Sequence, residues 1–381
     1  PNYAGDGTSG IFVWGAQLQT GSTATTYTRN NGGRFPPRFD YDPATLQPKG
    51  ILIEEQRVNL LLRSEQYDNA TWQKSTGGVA SAPSITADFG TSPDGTNNAD
   101  RAQFALNGGT TSTDRSLLSQ TVTIVNATSY TFSVWLRSLS GTVAMGIGCD
   151  GVAGNTPITV TSTWQRFTLT GTSTGTSGLA WLQLRGGQTP TQANAADVLV
   201  YGAQLEAGAF ATSYIPTVAS QVTRAADQCS IVAPMFAPWY NQSEGTFVAE
   251  AVTIKPPAVA TANFVFIASD GTQNERVQSV FDTSNATAGV IDGNVSQANF
   301  TNAYTLNQTI KCAIAYKVND FAASFNGSTA TTDTSGTIPT VNRMSLGSSW
   351  DGLNFFLNGH IRSVQFYPFR ASDTQLQALT T

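Results

Sequence analysis

The chain has 381 residues, 40% of them apolar and 10% aromatic, which is enough to bury cores and too much for wholesale disorder. Only 12% are charged, and 20 Lys plus Arg against 25 Asp plus Glu leave a net charge of −5, so no basic surplus exists to neutralise phosphates and no nucleic-acid partner is expected. A single histidine, His360, excludes a multi-histidine metal site, and the three distant cysteines Cys149, Cys229 and Cys312 form neither a disulfide framework nor a zinc pattern. No stretch approaches the ~20 apolar residues of a membrane helix, so no membrane insertion is expected. No basic-then-apolar signal segment opens the chain. Beginning at Pro1 without methionine, it reads as a processed product, a fragment or the ordered part of something longer.

In chain order, the first informative segment is Val13–Tyr27. It matches Val200–Tyr214 at nine of fifteen positions without a gap, including Gly-Ala-Gln-Leu and the final Tyr. At Tyr214 the segment ends a long run of strand-like sequence, whereas at Tyr27 almost nothing precedes it. Residues 1–29 therefore read as closing strands of an upstream unit. Residues 30–58, with Gly32-Gly33, Pro36-Pro37, Pro43 and Pro48, read as an irregular connector, with a weak helix near Ala44–Leu46.

Residues 59–216 read as the first complete domain. In Tyr130–Arg137, the side chains of Tyr130, Phe132, Val134 and Leu136 face one way and those of Thr131, Ser133, Trp135 and Arg137 the other. Trp164–Leu169 and Leu179–Arg185 are built alike. A second connector, 217–243, holds Pro234, Phe236, Pro238, Trp239 and Tyr240, and 244–381 reads as a second domain beginning with the strand Gly245–Ile254. Turn pairs such as Asn107-Gly108, Asp270-Gly271, Asp292-Gly293, Asn326-Gly327 and Asn358-Gly359 separate the strands. Helix is expected only at the C-terminus, where Ser372 caps a turn carrying Leu376 and Leu379. The fold class is all-β: tandem antiparallel β-sandwiches joined by irregular connectors.

Several of these residues carry a family resemblance. Arg38–Pro43, Gly50–Glu55 and Asn59–Glu65 resemble a segment of bacteriophage and prophage structural proteins that precedes a jelly roll similar to carbohydrate-binding modules. Such modules open with Asn-Leu-Leu and a Trp a dozen residues on, here Asn59–Leu61 and Trp72. They close with Gly-Ala-Gln-Leu-Glu and Tyr-Ile-Pro-Thr, here Gly202–Glu206 and Tyr214–Thr217. Thr223–Asp227 is similar to phage fibre and spike sequence. Phe325–Gly327, Val341–Gly347, Leu357–Arg362, Gln365–Pro368 and Ser372–Leu376 resemble the laminin-G-like, concanavalin-A-like sandwich of phage tail and head fibres. The resemblance implies a jelly roll at 59–216 after the tail of another at 1–29, then a laminin-G/concanavalin-A-like sandwich at 244–381. It implies a fibre or spike on the virion exterior, in tail or head position, built as a homotrimer with other virion proteins.

The chemistry of the residues favours binding. No Glu-x-Asp-x-x-Glu pattern exists, Glu250 stands alone in its strand, and adjacent Glu54 and Glu55 point to opposite faces, so no glycosidase pair is legible and no catalytic residues are expected. A triad would have to use His360, for which a packed or exposed loop position is the default. No cofactor and no metal site are expected; the turn aspartates Asp270, Asp292 and Asp351 leave a structural calcium open. Sugar sites on β-sandwiches combine an aromatic ring with polar groups that take hydroxyls. Trp135, Arg137 and Trp181 are candidates for one sugar-facing surface, and Trp350, Asp351 and Asn354 for a loop site, with host-surface polysaccharide as the partner. Phe35, Phe39, Tyr41, Phe236, Trp239 and Tyr240 are expected to pack against neighbouring subunits. A purely structural fibre or capsid-decorating protein, and a binding appendage of a secreted polysaccharide-degrading enzyme, are the alternatives.

Overall fold

Alternation with a period of two organises almost every element of the chain. The structure is a computed structural model that describes residues 37–42, 45–255 and 262–381. The closing strands expected at 1–29, the repeat copy at 13–27, Phe35 and Ala44 lie outside the described residues. Thr45 and Leu46, the rest of the weak helix, form a turn in which the Asp42 carboxylate accepts from the Thr45 amide at 2.9 Å.

The chain opens with β1 (Phe39–Tyr41), β2 (Pro48–Ile53) and β3 (Arg57–Asn59). There follow β4 (Gln73–Gly77), β5 (Ser81–Gly90), β6 (Ala99–Ala105), β7 (Arg115–Thr123) and β8 (Ser129–Ser138). Next come β9 (Val143–Asp150), β10 (Ala153–Val160), β11 (Gln165–Thr172), β12 (Ser177–Arg185) and β13 (Ala195–Ala207). Between the sandwiches run β14 (Val222–Arg224) and β15 (Cys229–Val232). The last part holds β16 (Glu244–Thr253), β17 (Asn263–Ser269), β18 (Arg276–Phe281), β19 (Asn285–Asp292) and β20 (Val295–Ala303). It ends with β21 (Ile310–Lys317), β22 (Phe321–Phe325), β23 (Thr331–Asp333), β24 (Arg343–Leu346), β25 (Gly359–Tyr367) and the helix α1 (Asp373–Leu379).

The first sandwich stacks two five-stranded sheets, β10-β9-β12-β7-β4 and β11-β8-β13-β6-β5. Tyr130, Phe132, Val134 and Leu136 of β8 meet Ala180, Leu182 and Leu184 of β12 in one core, while their odd-numbered neighbours face outward. Each large apolar side chain buried there contributes roughly 1.5–3 kcal/mol. The second sandwich stacks a seven-stranded sheet, β1-β2-β25-β16-β21-β22-β23, on a six-stranded one, β15-β24-β17-β18-β19-β20. Phe247, Phe266, Phe281 and Phe321 fill its core. Ser372 caps α1 with Gln375 in a reciprocal capping box, and buried Leu376 seats the helix on the outer face of the seven-stranded sheet. Asn107, Asn326 and Asn358 take positive φ in their turns, as the Asn-Gly pairs require.

Two expectations need correction. The connectors are not irregular arms: β2 pairs with β25 and β15 with β24, so each extends a sheet of the second sandwich, while β14 pairs with β3. The continuous apolar run Ile51-Leu-Ile53 suits a strand paired on both sides, here by β1 and β25, and Pro48 is tolerated as the first residue of β2. The aromatics of the second connector do not await a neighbour. Phe236 is 1% exposed, and Trp239 and Tyr240 pack with it against Phe366 of their own chain. Phe39 and Tyr41 remain exposed, at 62% and 54%.

Glu54 and Glu55 clamp the two sandwiches. Extended backbone sends their side chains to opposite sides. Glu54 accepts from the Ser213 amide at 2.8 Å and from its hydroxyl at 2.6 Å, and pairs with Arg224 at 3.0 Å. Glu55 turns to the second sandwich, 2.8 Å from Lys255 and 3.0 Å from the Asn358 amide. Burial pushes the Glu55 carboxyl up, but Lys255, Arg57 and Asn358 together hold it below the usual range. Both sandwiches belong to one compact unit, Phe39–Thr381.

Candidate functional site

The expected Trp135 and Trp181 surface does not exist as one surface. Trp135 lies on the outer face of β8 and Trp181 on the outer face of β12, and β8 and β12 belong to the two opposed sheets. Two alternating strands leave their facing undetermined until the sheet partners are known, and those partners are distant in sequence.

The β8 side is closed by the chain itself. After β13 the segment 208–217 folds back over the sheet. The Thr131 hydroxyl donates to the Gly208 carbonyl at 2.8 Å, and Arg166 bridges the Thr212 carbonyl and the Ser133 hydroxyl at 2.7 and 2.9 Å. The residues of the closing motif fasten this segment. The Ile215 amide donates to Gln204 Oε1 at 2.7 Å, and Thr212 donates its amide and hydroxyl to the Glu206 carboxylate at 2.9 and 2.6 Å. Asn59 joins opening to closing: its amide donates to the carbonyls of Ala203 and Ile215 and accepts from the amides of Leu61 and Leu205. Gly202 has φ +63° at a bulge, with Trp135 and Tyr214 both 3.3 Å from where a Cβ would stand. Trp135, half-buried, packs with Trp164, Leu199, Tyr201 and Tyr214. Arg137 lies 5.6 Å from the Trp164 ring centre, a cation–π contact, and the Trp164 indole donates to the Thr91 carbonyl at 3.1 Å.

The β12 side is different. Trp181 lies flat on Gly148, where a Cβ would come within 2.1 Å of the ring, and its indole donates to Asp150 at 3.0 Å. At 4% exposure it is a wall and offers no free face for a sugar. Further along the same face, Gln183 and Gln192 donate to Asn155, Asn155 donates to Gln188 at 3.0 Å, and the Arg185 amide donates to Gln192 at 2.7 Å.

Beyond them Arg185 stands directly opposite Arg115 of β7, which in turn pairs with Gly77 of β4. A pocket of about 410 Å³ opens here, lined by Gly77, Gly78, Ser112, Thr113, Arg115 and Arg185. That volume falls in the roughly 300–1,000 Å³ range of small-ligand sites. The Arg185 guanidinium is fixed by the Ser112 carbonyl at 2.7 Å. Arg115 runs across Gly77, where a Cβ would come 2.5 Å from the Thr113 carbonyl and 3.2 Å from Arg115 Cγ. Asp114 holds the rim: it accepts from the Thr111 hydroxyl and amide and from the Val79 amide at 2.6, 2.8 and 3.0 Å. These hydrogen bonds, the Thr111 hydroxyl first, hold its carboxyl below the usual range.

Arg115, Arg185, Asn155 and Gln192 were not singled out from the sequence. Arg185 was legible as the end of the Trp181, Gln183, Arg185 alternation. Arg115 becomes visible only through the β7–β12 register.

In the second sandwich, Trp350 packs edge-on to Phe264 at 6.3 Å and beneath the Arg276 guanidinium at 5.9 Å. Asp351 accepts from the Ser349 hydroxyl at 2.5 Å and the Leu353 amide at 3.0 Å, so its carboxylate shapes its own loop. Burial raises its pKa, and these bonds more than reverse that. Asn354 donates its amide to the Ser349 hydroxyl at 3.1 Å. These three sit together in one loop, apart from the first-sandwich residues. His360 lies in β25, 2.7 Å from Asp40. Asp270 accepts from Thr272 of its own turn, and Asp292 accepts from the Thr337 hydroxyl. Among the described residues no three His, Cys, Asp or Glu side chains converge as metal ligands. Burial pushes the Cys149 and Cys312 thiols up to about 12.

These features define an all-β chain of tandem antiparallel sandwiches whose first sandwich has one closed and one open outer side. No protein-family model matches the chain, and no curated protein matches it. Solved structures similar to part of it include a carbohydrate-binding module, CBM40, of the Ruminococcus gnavus IT-sialidase bound to α2,3 sialyllactose. That match has 15% identity and a TM-score of 0.34, covering 41% of this chain and 97% of that one. A SAP-like pentraxin from Limulus polyphemus matches at 13% identity and a TM-score of 0.29, covering 36% and 70%. The leech intramolecular trans-sialidase matches at 14% identity and a TM-score of 0.33, covering 40% and 26%.

Proposed function

We propose that this chain is a non-catalytic adhesion component of a bacteriophage fibre or spike, carried on the virion exterior, that binds host-surface polysaccharide through its first sandwich. The observation that carries the binding reading is the pocket at the end of the β12 face. It is an open, polar recess on a rigid sheet, with two guanidiniums, hydroxyls and an adjoining amide cluster able to take sugar hydroxyls. The virion assignment rests on the resemblance of Arg38–Pro43, Gly202–Glu206 and Val341–Gly347 to phage structural proteins. Exposed Phe39 and Tyr41 in the edge strand β1 favour a homotrimer in which a neighbouring copy or another virion protein covers them.

A glycan array probed with the intact chain tests the binding reading, with retention of a defined set of host polysaccharides expected. Labelled antibody on whole particles tests the location, and native mass measurement tests the three-chain assembly. One observation favours a second reading, a purely structural fibre or decoration protein: Trp181, on the same face of β12 as Arg185, is covered. Labelled particles together with an empty array would establish that role.

A further inference from the structure

Resting on the glycan-binding reading, we propose that the Arg115–Arg185 pocket selects acidic sugars, gripping the carboxylate of a uronic or sialic acid residue within the polysaccharide. Arg57, Arg101, Arg224, Arg362 and Arg370 each stand within ion-pair distance of a carboxylate. Arg115 and Arg185 have no such partner among the described residues. They nevertheless occupy directly opposed positions of adjacent antiparallel strands. Like charges so placed repel. Asp114, next in sequence to Arg115, keeps its negative charge while accepting from Thr111 and Val79, so it offsets part of the repulsion without forming an ion pair with either guanidinium. Two guanidiniums against one rim carboxylate leave a local excess of positive charge at the mouth of a recess, in a chain whose net charge is −5.

The geometry narrows the ligand further. A guanidinium is a planar fork that matches a planar carboxylate with two parallel hydrogen bonds. Arg185 is already oriented by its bond to the Ser112 carbonyl, so little side-chain freedom is lost when it binds. A recess of about 410 Å³ is far larger than a bare ion needs, and the Ser112 and Thr113 side chains on its wall suit the hydroxyls of a sugar ring. The overall negative charge opposes densely sulfated or phosphorylated chains, whose repulsion from the rest of the surface grows with every added group.

Titration calorimetry on the intact chain with trigalacturonate, 3′-sialyllactose, lactose and a heparin tetrasaccharide tests this. The expected result is binding of at least one of the two carboxylate sugars, and none of lactose at the same concentration. Arg115→Gln or Arg185→Gln should weaken that binding roughly 10–100-fold, the range of a lost charged hydrogen bond. Arg115→Lys should weaken it less. Unchanged thermal midpoints show that the arginine variants fold. Carboxylate binding indifferent to the arginine variants, equal binding of lactose, or preference for the heparin fragment overturns the proposal while leaving glycan binding in place. An array on which no glycan of any kind is retained removes the underlying reading, and the proposal with it.

Discussion

On the β11-β8-β13 side of the first sandwich the polypeptide folds back over its own sheet; at the end of the β10-β9-β12 side it does not. Both faces carry tryptophan and arginine on alternating strands, and the two are alike in sequence. On the closed side the arginine is answered internally: Arg166 binds Thr212 and Ser133 beneath the returning segment, and burial lowers its pKa. On the open side Arg115 is exposed and has no ion pair among the described residues. The same residue types therefore serve cohesion where the chain covers them and stay open to solvent where it does not. What separates the cases is the destination of the segment after β13, not the composition of the strand.

Substitutions can break or sharpen this contrast. The largest effect is expected from Asn59→Ala on the closed side. It removes four buried hydrogen bonds and strands at least two carbonyls, so urea unfolding should show a loss of roughly 3–5 kcal/mol; a loss below about 1 kcal/mol would mean the closing segment is not held there. Asp100 is next. It accepts from the amides of Tyr67 and Asp88, but burial outweighs these and raises its pKa to about 6. Because the folded value lies above the unfolded one, the folded state holds its proton more tightly. Its contribution is most favourable below about pH 4 and is lost as pH rises through 6, a swing of roughly 2–3 kcal/mol. Carboxyl NMR should show a midpoint near 6, and an ordinary midpoint near 4 would remove the effect.

Trp135→Ala should destabilise the first sandwich by about 2 kcal/mol, as a half-buried ring in an aromatic cluster, and leave glycan affinity unchanged. Loss of affinity without loss of stability would move the site to the closed side. Gly202→Ala places a Cβ at positive φ against Trp135 and Tyr214, and should cost about 1 kcal/mol in the same assay. Arg115→Gln should change stability by less than about 0.5 kcal/mol, or raise it slightly by relieving repulsion. A marked loss would show Arg115 to be structural.

The sandwiches, the C-terminal helix and the Asn-Gly turns were legible because each is written locally, in a two-residue alternation, a cap or a left-handed turn. Asn59 and Gly202–Glu206 were legible as a motif, though their meeting across 144 residues, through the Asn59 side chain and the Ala203 carbonyl, was not. The strands of the connectors escaped because they are short, lie among prolines and are paired by strands distant in sequence, β25 and β24. The Arg115–Arg185 pair escaped because strand register is a non-local property: nothing near Arg115 says which residue will face it. Trp181 was visible, but whether its ring is free depended on a glycine in another strand, Gly148.

The paired glutamates after β2 have a mechanical consequence. Two neighbouring carboxylates, each anchored in a different sandwich, leave no slack link between them. A sideways tug on one body therefore reaches the other directly, with no swivel to absorb it. Such stiffness means that load on one core is shared by the other at once, and the two part only when that joint fails.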